Sequence, residues 1–147
     1  MENIMTALLL WIDSLTIHQE KGPGINDITA DIRQMLLASG IQNGSADVTV
    51  VGSTGSATTI EYEPGVIEDL KDAINRIAPP GAVYKHELAW HDGNGHSHVQ
   101  AAVVGPSVAV PIRKGKLRLG TWQQIVVINH DNHARKRTIE VTLTGQS

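Results

Sequence analysis

Histidine side chains are concentrated in one short stretch of this sequence, AWHDGNGHSHVQAAVVG at residues 89–105. The stretch contains His91, His96 and His98, and His86 lies just upstream of it. The chain of 147 residues has no cysteine, so a metal ion would be held by imidazole nitrogens and by oxygens. The stretch is therefore a candidate metal site, and the alternative is that its polar residues and glycines form a solvated loop.

The spacing of two between His96 and His98 determines how their rings are placed. Residues 95–104 are predicted to form a strand, and side chains two apart on a strand project from the same face. That face offers two nitrogen ligands, whereas a catalytic zinc site needs a third protein ligand and one open position. Either His86 or His91 is close enough in the sequence to supply the third ligand.

Small polar side chains nearby suit the binding of a substrate. Asp92 and Asn94 lie between the histidines, where they can orient the rings or hold a substrate hydroxyl. The sequence GSTGSATT at residues 52–59 includes Ser53 and Thr54, and it can present backbone N–H groups and hydroxyls to a phosphate. It lacks the lysine and the spacing of a P-loop, so an ordinary polar turn is the alternative.

Acidic and aromatic residues supply the remaining candidates. Glu61 and Glu63 would share one face of an extended chain, where one of them could act as a general base or a metal ligand. Such acids more often favour the start of a helix through its dipole. Trp122 stands between Thr121 and Gln123 at the head of an apolar strand, where it could stack on a flat heterocycle or pack in the core.

Two helices that would help to position these residues are predicted from the spacing of apolar side chains. The first is capped by Asp27 or Thr29 and ends before Gly40. The second begins at Pro64, because proline is favoured at the first helical position, and the sequence APPG at residues 78–81 ends it. No helical period continues beyond that point.

The other apolar and β-branched runs are predicted to be strands, at residues 8–18, 47–51, 95–104, 108–112, 117–129 and 137–144. RKGK at residues 113–116 is predicted to form a hairpin turn, and His130 and His133 are predicted to lie in a surface turn. Because the later strands have no helices between them, the order of elements predicts a largely antiparallel α+β domain that spans residues 1–147.

Composition limits the classes of partner. Only 3% of the residues are aromatic and phenylalanine is absent, so valine, isoleucine and leucine must fill the core, which favours sheet. A net charge of −3 gives no basic footprint for nucleic acid, and the run from Arg135 to Arg137 is too short to provide one. The apolar run from Ala7 to Trp11 is too short to span a bilayer, which needs roughly 20 apolar residues. We therefore expect a cytoplasmic protein.

Several of these segments together resemble the YjbQ family across nearly the whole chain. The matching segments are DIT at residues 27–29, SGI at 39–41, EYEPG at 61–65, DGNGHSH at 92–98, VGPS at 104–107 and LGTWQQI at 119–125. The resemblance implies a β-sandwich of mostly antiparallel strands with two helices, and it implies assembly into homotrimers.

The resemblance also implies a site. It identifies His86, His96 and His98 as the site imidazoles, and we expect them to bind a divalent metal, zinc being the first candidate. Asp92 and Asn94 are expected beside them. The resemblance further implies that Glu61 faces the same pocket, as a catalytic group with those two residues. Predicted substrate contacts are Ser53, Thr54, Ser107, Thr121, Trp122 and Gln123.

Some members of the family are described as secondary thiamine-phosphate synthases. The resemblance therefore implies an enzyme that joins hydroxymethylpyrimidine diphosphate to thiazole phosphate and releases diphosphate. In this chain Ser53 stands where many members have a histidine, and Glu61 stands where those members have an asparagine. The alternative is a trimeric protein that binds a metal or a phosphorylated metabolite without turnover.

Overall fold

The computed structural model describes residues 7–147, which form two antiparallel sheets and four helices. In chain order the elements are β1 (Leu9–Gln19), β2 (Gly24–Asp27), α1 (Thr29–Ser39), β3 (Asn43–Val51), β4 (Gly55–Glu61), α2 (Pro64–Ile77), α3 (Glu87–Trp90), α4 (Gly95–Val104), β5 (Ser107–Arg113), β6 (Lys116–Leu117), β7 (Gln123–Asn129) and β8 (Arg135–Gln146). The larger sheet has the order β1-β8-β3-β5-β6, and the smaller has the order β2-β7-β4.

The two sheets pack face to face around one main core. Apolar side chains of β3, β5 and β8 from the larger sheet meet Ala57 of β4 and Ile125 and Val127 of β7. The alternate residues of β7, Val126 and Ile128, point to the other face and pack against α2. Strand β7 is thus buried on both faces, which explains its unbroken apolar run. The α+β fold with mostly antiparallel strands is confirmed.

Helix α1 forms where the sequence predicts it. The Oδ1 atom of Asp27 accepts hydrogen bonds from the backbone nitrogen of Thr29 at 2.9 Å and from its hydroxyl at 2.6 Å. Ile32 and Leu36 are buried in the main core. Gly40 ends the helix with φ 70°, a left-handed conformation that glycine adopts without a steric penalty.

Helix α2 is also confirmed, and its start shows what one of the predicted acids does. The carboxylate of Glu63 accepts hydrogen bonds from the backbone nitrogens of Gly65 at 2.8 Å and Val66 at 2.9 Å, and Pro64 follows it at the first helical position. These hydrogen bonds lower the pKa of Glu63. The side chain therefore serves as a helix cap.

The prediction of a strand at residues 95–104 is wrong, because this segment is helix α4. Its buried positions include His96, Ser97 and Gln100, whereas Val99 and Val103 are 42% and 58% exposed. Burial thus follows a helical period, but polar residues occupy the buried face, so the apolar pattern did not reveal the helix. Four helices, rather than the predicted two, lie in the described part of the chain.

Two smaller differences concern the C-terminal half. The strand predicted at residues 117–129 is divided into β6 and β7 by a loop, and the two strands belong to different sheets. The predicted hairpin at residues 113–116 is confirmed, with Lys114 and Gly115 at φ 51° and 71° in the turn. Among the helices of residues 7–147, none has the length and apolar character needed to cross a membrane.

Candidate functional site

The histidine-rich segment folds as α3, a tight loop and α4, and Glu87 fixes the loop. Its carboxylate oxygens accept hydrogen bonds from the backbone nitrogens of Gly93 at 2.7 Å and Gly95 at 3.0 Å. His91 ends α3 in a left-handed conformation with φ 52°, and its side chain is exposed. The loop therefore holds the start of α4 at a fixed position relative to α3.

His86, Asp92 and His98 meet where α3 and α4 approach each other. The Nε2 atom of His86 lies 3.2 Å from Oδ1 and 3.4 Å from Oδ2 of Asp92. The ring centroids of His86 and His98 are 4.6 Å apart. Ligand atoms of His86, Glu87 and Asp92 all lie within 4.8 Å of one another, which is close enough for one cation.

The structure separates His96 from this cluster. Residues two apart on a helix point about 200° apart, so the expectation that His96 and His98 share a strand face is wrong. His96 is buried, and its Nε2 atom lies 3.2 Å from the hydroxyl of Ser97. Burial lowers the pKa of His96, which favours the neutral ring. Its metal-binding role stays a prediction.

Asn94 holds the loop against a neighbouring turn. Its side chain is 5% exposed, and its Oδ1 atom accepts hydrogen bonds from the hydroxyl of Ser97 and, at 3.1 Å, from the backbone nitrogen of Asn132. Asp92 joins the same contact through its carbonyl oxygen, which accepts a hydrogen bond from the Asn132 side chain at 2.9 Å. These contacts place the group of His86, Asp92 and His98, here called the imidazole cluster, beside the turn between β7 and β8.

A cleft of about 420 Å³, here called the polar cleft, opens between this turn and the imidazole cluster. One wall carries Asp92, Asn94 and His98. The other carries Ser53, Thr54, Asp131, Arg135, Lys136 and Arg137. The polar cleft therefore contains three cationic side chains, two carboxylates and one imidazole. Sequence reasoning missed the four residues from the C-terminal turn and strand, because the basic run looked too short to matter.

Hydrogen bonds on the floor of the polar cleft link Asp131 to Arg135 directly and to Arg137 through Thr54. The hydroxyl of Thr54 donates to Oδ2 of Asp131 at 2.9 Å and accepts from Nη2 of Arg137 at 2.6 Å. The Oδ2 atom of Asp131 also accepts from Nε of Arg135 at 2.9 Å. Burial acts to raise the pKa of Asp131, but hydrogen bonds from Arg135 and Thr54 outweigh it and lower this pKa to about 2. The carboxylate is therefore charged at neutral pH.

His130 lies behind the cleft and ties α4 to β4. The prediction of a surface turn is wrong for this residue, which is 1% exposed. Its Nε2 and Nδ1 atoms lie 2.7 Å from the hydroxyl of Ser56 and 3.0 Å from Oε1 of Gln100, and its carbonyl oxygen accepts from the hydroxyl of Ser97. Burial, followed by the charge of Arg137, lowers its pKa to about 4. The ring is thus neutral near pH 7.

Other predicted site residues lie at the opposite end of the β4–β7 pair. Gly55 pairs with Asn129 near the polar cleft, whereas Glu61 pairs with Gln123 six residues further along β4, about 20 Å away. Within one copy of the chain, the expectation that Glu61 faces the imidazoles is therefore wrong. Trp122 is 72% exposed beside Glu61, in a second cleft of about 340 Å³. Thr121 precedes Trp122 in the same loop.

Ser107 also lies outside the polar cleft. Its hydroxyl is 2.8 Å from the hydroxyl of Thr49 on the exposed surface of the larger sheet. Of the predicted substrate contacts, Ser53 and Thr54 therefore line the cleft. The remaining four are spread over two other parts of the surface.

Comparisons with other proteins show the same sequence family and the same fold. Residues 13–146 match the family described as "UPF0047 protein YjbQ-like". The chain is 33% identical to a UPF0047 protein of Archaeoglobus fulgidus over 85% of this chain and 95% of that one. It is 31% identical to the UPF0047 protein YjbQ of Salmonella typhimurium over 93% and 100% of the two chains. A crystal structure of a YbjQ-like protein of unknown function from Sulfolobus solfataricus is similar with a TM-score of 0.90, 31% identity and coverage of 95% and 100%.

Proposed function

Because the chain belongs to the UPF0047 YjbQ-like family, we propose that it is an enzyme that acts on phosphorylated metabolites. The observation that carries the proposal is the polar cleft, in which Lys136 and Arg137 face His98 and Asp92. Cationic side chains opposite an imidazole suit a substrate whose phosphate groups must be neutralised while it reacts. The reaction we assign is the joining of hydroxymethylpyrimidine diphosphate to thiazole phosphate.

The chemistry of this reaction matches what the cleft contains. The thiazole nitrogen forms a bond to the methylene carbon of the pyrimidine, and the bond from that carbon to the diphosphate oxygen breaks. The electron pair of the broken bond leaves with diphosphate, and the thiazole nitrogen becomes positively charged. No proton is transferred in this step. Lys136 and Arg137 would neutralise the leaving group, and the cleft would hold both reactants in line.

The residues present fit a divalent metal, and zinc is our first candidate. His86, Glu87 and Asp92 would hold the ion, and the His98 ring lies beside that of His86. An imidazole and carboxylate donor set is typical of catalytic zinc sites. When bound, the ion would add positive charge beside the leaving diphosphate. This set omits His96 and includes the carboxylate of Asp92, which the sequence analysis assigned to ring orientation, substrate contact or catalysis rather than to the metal.

Turnover by the purified chain tests the proposal. Zinc-loaded protein given both precursors should form thiamine phosphate and release an equal amount of diphosphate. His98→Ala should lower the rate about 100-fold, because a group that contacts the leaving diphosphate is lost. The control is Arg118→Gln, which removes an exposed charged side chain outside the polar cleft. No product above the uncatalysed background, from folded and metal-loaded protein, overturns the enzymatic function.

A binding function without turnover is the alternative, and the exposed hydroxyl of Ser53 favours it. The family resemblance leads us to expect a histidine at this position, and Ser53 supplies a hydroxyl to the wall of the cleft instead. Under this alternative the protein would bind a metal or a phosphorylated metabolite tightly and release it unchanged. Retention of both precursors with no product would support the alternative.

We also propose that the chain acts as a cytoplasmic homotrimer. Leu8, just before the edge strand β1, and Leu10 and Ile12 within it form an apolar row, and each is between 61% and 70% exposed. Such a row is typical of a surface that another subunit covers. Light scattering should give a mass near three times 15.8 kDa, and a monomer at micromolar concentration contradicts the trimer.

A further inference from the structure

Arg137 is a buried cation whose charge has no direct partner. The side chain is 6% exposed, and its Nη2 atom donates to the neutral oxygens of Thr54 and Asn129 at 2.6 Å each. Within residues 7–147, no carboxylate lies within 4.0 Å of its guanidinium. The nearby carboxylate of Asp131 is instead paired with Arg135. A buried charge is costly unless it is paired, so the position of Arg137 indicates a site for an anion.

Part of this guanidinium has no hydrogen-bond partner. The Nε atom of Arg137 is buried and unpaired, and Nη1 donates no hydrogen bond among the described residues. Two glycines lie against these atoms. A Cβ atom at Gly52 would come within 3.0 Å of Nη1, and one at Gly55 within 3.3 Å of Nε. Side chains larger than glycine at these two positions would therefore crowd the part of Arg137 that has unpaired donors.

Both glycines line a further space next to the polar cleft, here called the apolar lobe. It has a volume of about 270 Å³, and its other walls are formed by Ala101, Ala102 and Pro106. Ser53 and His98 line the apolar lobe and the polar cleft alike, so the two spaces meet at these side chains. One end of the combined space is rich in cations, and the other is made of small apolar groups.

We propose that this combined space binds a phosphate ester with a small apolar or aromatic group attached. The phosphate would contact Arg137, Ser53 and His98, and the organic group would lie in the apolar lobe against Ala102 and Pro106. The inference rests on the proposed function for the phosphorylated class of substrate, and it adds where each half of the substrate binds. It also assigns Arg137 as the residue that binds the anion when no metal is present.

Calorimetric titration of the metal-free full chain with two probes tests this assignment. Inorganic phosphate should bind, and phenyl phosphate should bind about tenfold more tightly because its ring enters the apolar lobe. Ala102→Leu should remove the preference for phenyl phosphate and keep the affinity for phosphate, since it fills the lobe at an exposed position. Equal affinity of the unaltered chain for the two probes overturns the apolar half of the proposal.

Two variants test the anionic half. Arg137→Gln should weaken the binding of both probes at least tenfold, because a charge-assisted hydrogen bond is lost. Since Arg137 is buried and this variant could unfold, Ser53→Glu supplies an independent test at an exposed position, where a carboxylate would repel the phosphate. The matched control is Arg118→Gln, which removes a positive charge outside both spaces. Unchanged phosphate binding by folded Ser53→Glu overturns the anion site.

The outcomes separate this inference from the proposed function. Binding of phenyl phosphate as described, with no thiamine phosphate formed from the two precursors, supports the bipartite site and overturns the assigned reaction. Turnover with a KM for the phosphorylated precursors that Ser53→Glu leaves unchanged supports the reaction and overturns the bipartite site.

Discussion

Polar side chains are buried at one end of the β4–β7 pair and exposed at the other. At the end near Asn129, here called the cleft end, Thr54, Ser56, Asn129 and His130 are all buried and hydrogen-bonded to one another or to charged groups. At the end near Glu61, here called the open end, the acidic and aromatic side chains lie in solvent. A buried polar group destabilises a fold when its hydrogen-bond partner is missing. The cleft end therefore depends on specific hydrogen-bond partners, whereas the open end does not.

The largest expected difference between the ends concerns a carboxylate. Asp131→Ala removes the buried acceptor for Thr54 and the ion-pair partner of Arg135, so we expect the free energy of unfolding to fall by about 3 kcal/mol. Glu61→Ala at the open end should change it by less than about 0.5 kcal/mol. Urea unfolding of both variants measures the difference. Similar losses for the two variants would show that the ends do not differ.

The buried imidazole at the cleft end should make stability depend on pH. The pKa of His130 is about 4 in the folded chain, against an ordinary histidine value of 6.5, so the unfolded chain binds more protons between these values. Stability is therefore fully present above pH 6.5 and is lost as the pH falls, by about 2 kcal/mol between pH 7 and pH 5. His130→Gln should flatten this dependence. Identical slopes for the variant and the unaltered chain would contradict the buried neutral ring.

A matched pair of hydroxyl deletions on one strand gives a smaller contrast. Ser56→Ala leaves Nε2 of His130 without its partner in the core and should cost about 1–2 kcal/mol. Thr59→Ala removes the acceptor for the side chain of Gln123, which can turn to solvent, and should cost about 0.5 kcal/mol or less. Thermal unfolding resolves both values. A larger loss for Thr59→Ala would reverse the contrast.

The smallest effect is expected at the most exposed aromatic residue. Trp122 is 72% exposed, so Trp122→Ala should change the free energy of unfolding by less than about 0.5 kcal/mol in dilute solution. A loss that appears only at concentrations where the chain associates would show that another subunit covers this side chain. A loss that is independent of concentration would contradict its exposure.

Sequence patterns predicted those helices and strands whose buried face consists of apolar residues. Helix α1, helix α2 and strand β7 follow this rule, and all were predicted near their observed positions. Helix α4 was missed because its buried face holds His96, Ser97 and Gln100. Their burial depends on hydrogen-bond partners such as the carbonyl oxygens of Ala78 and His130, which come from distant parts of the chain.

The candidate site was predicted only in part, for the same physical reason. The sequence identified His86, Asp92 and His98, which are near one another in the chain. Alternation in the predicted strand at residues 137–144 puts Arg137 on the same face as Ile139 and Val141, but its charge and its place in a basic run argued against burial. Burial of Arg137 arises from contacts with Thr54 and Asn129, which the sheets bring to it.

Metal retention by two matched variants tests the proposed metal site most directly. It distinguishes ligands chosen by their proximity in the fold, such as His86, from one suggested by spacing in the sequence, His96. His86→Gln and His96→Gln each replace one imidazole with an amide, and folding of both can be checked by circular dichroism. After zinc loading and dialysis, His86→Gln should lose the metal, whereas His96→Gln should keep one ion per chain, because only the His86 ring faces Asp92. Loss of zinc from folded His96→Gln with retention by His86→Gln would contradict the site described for this protein.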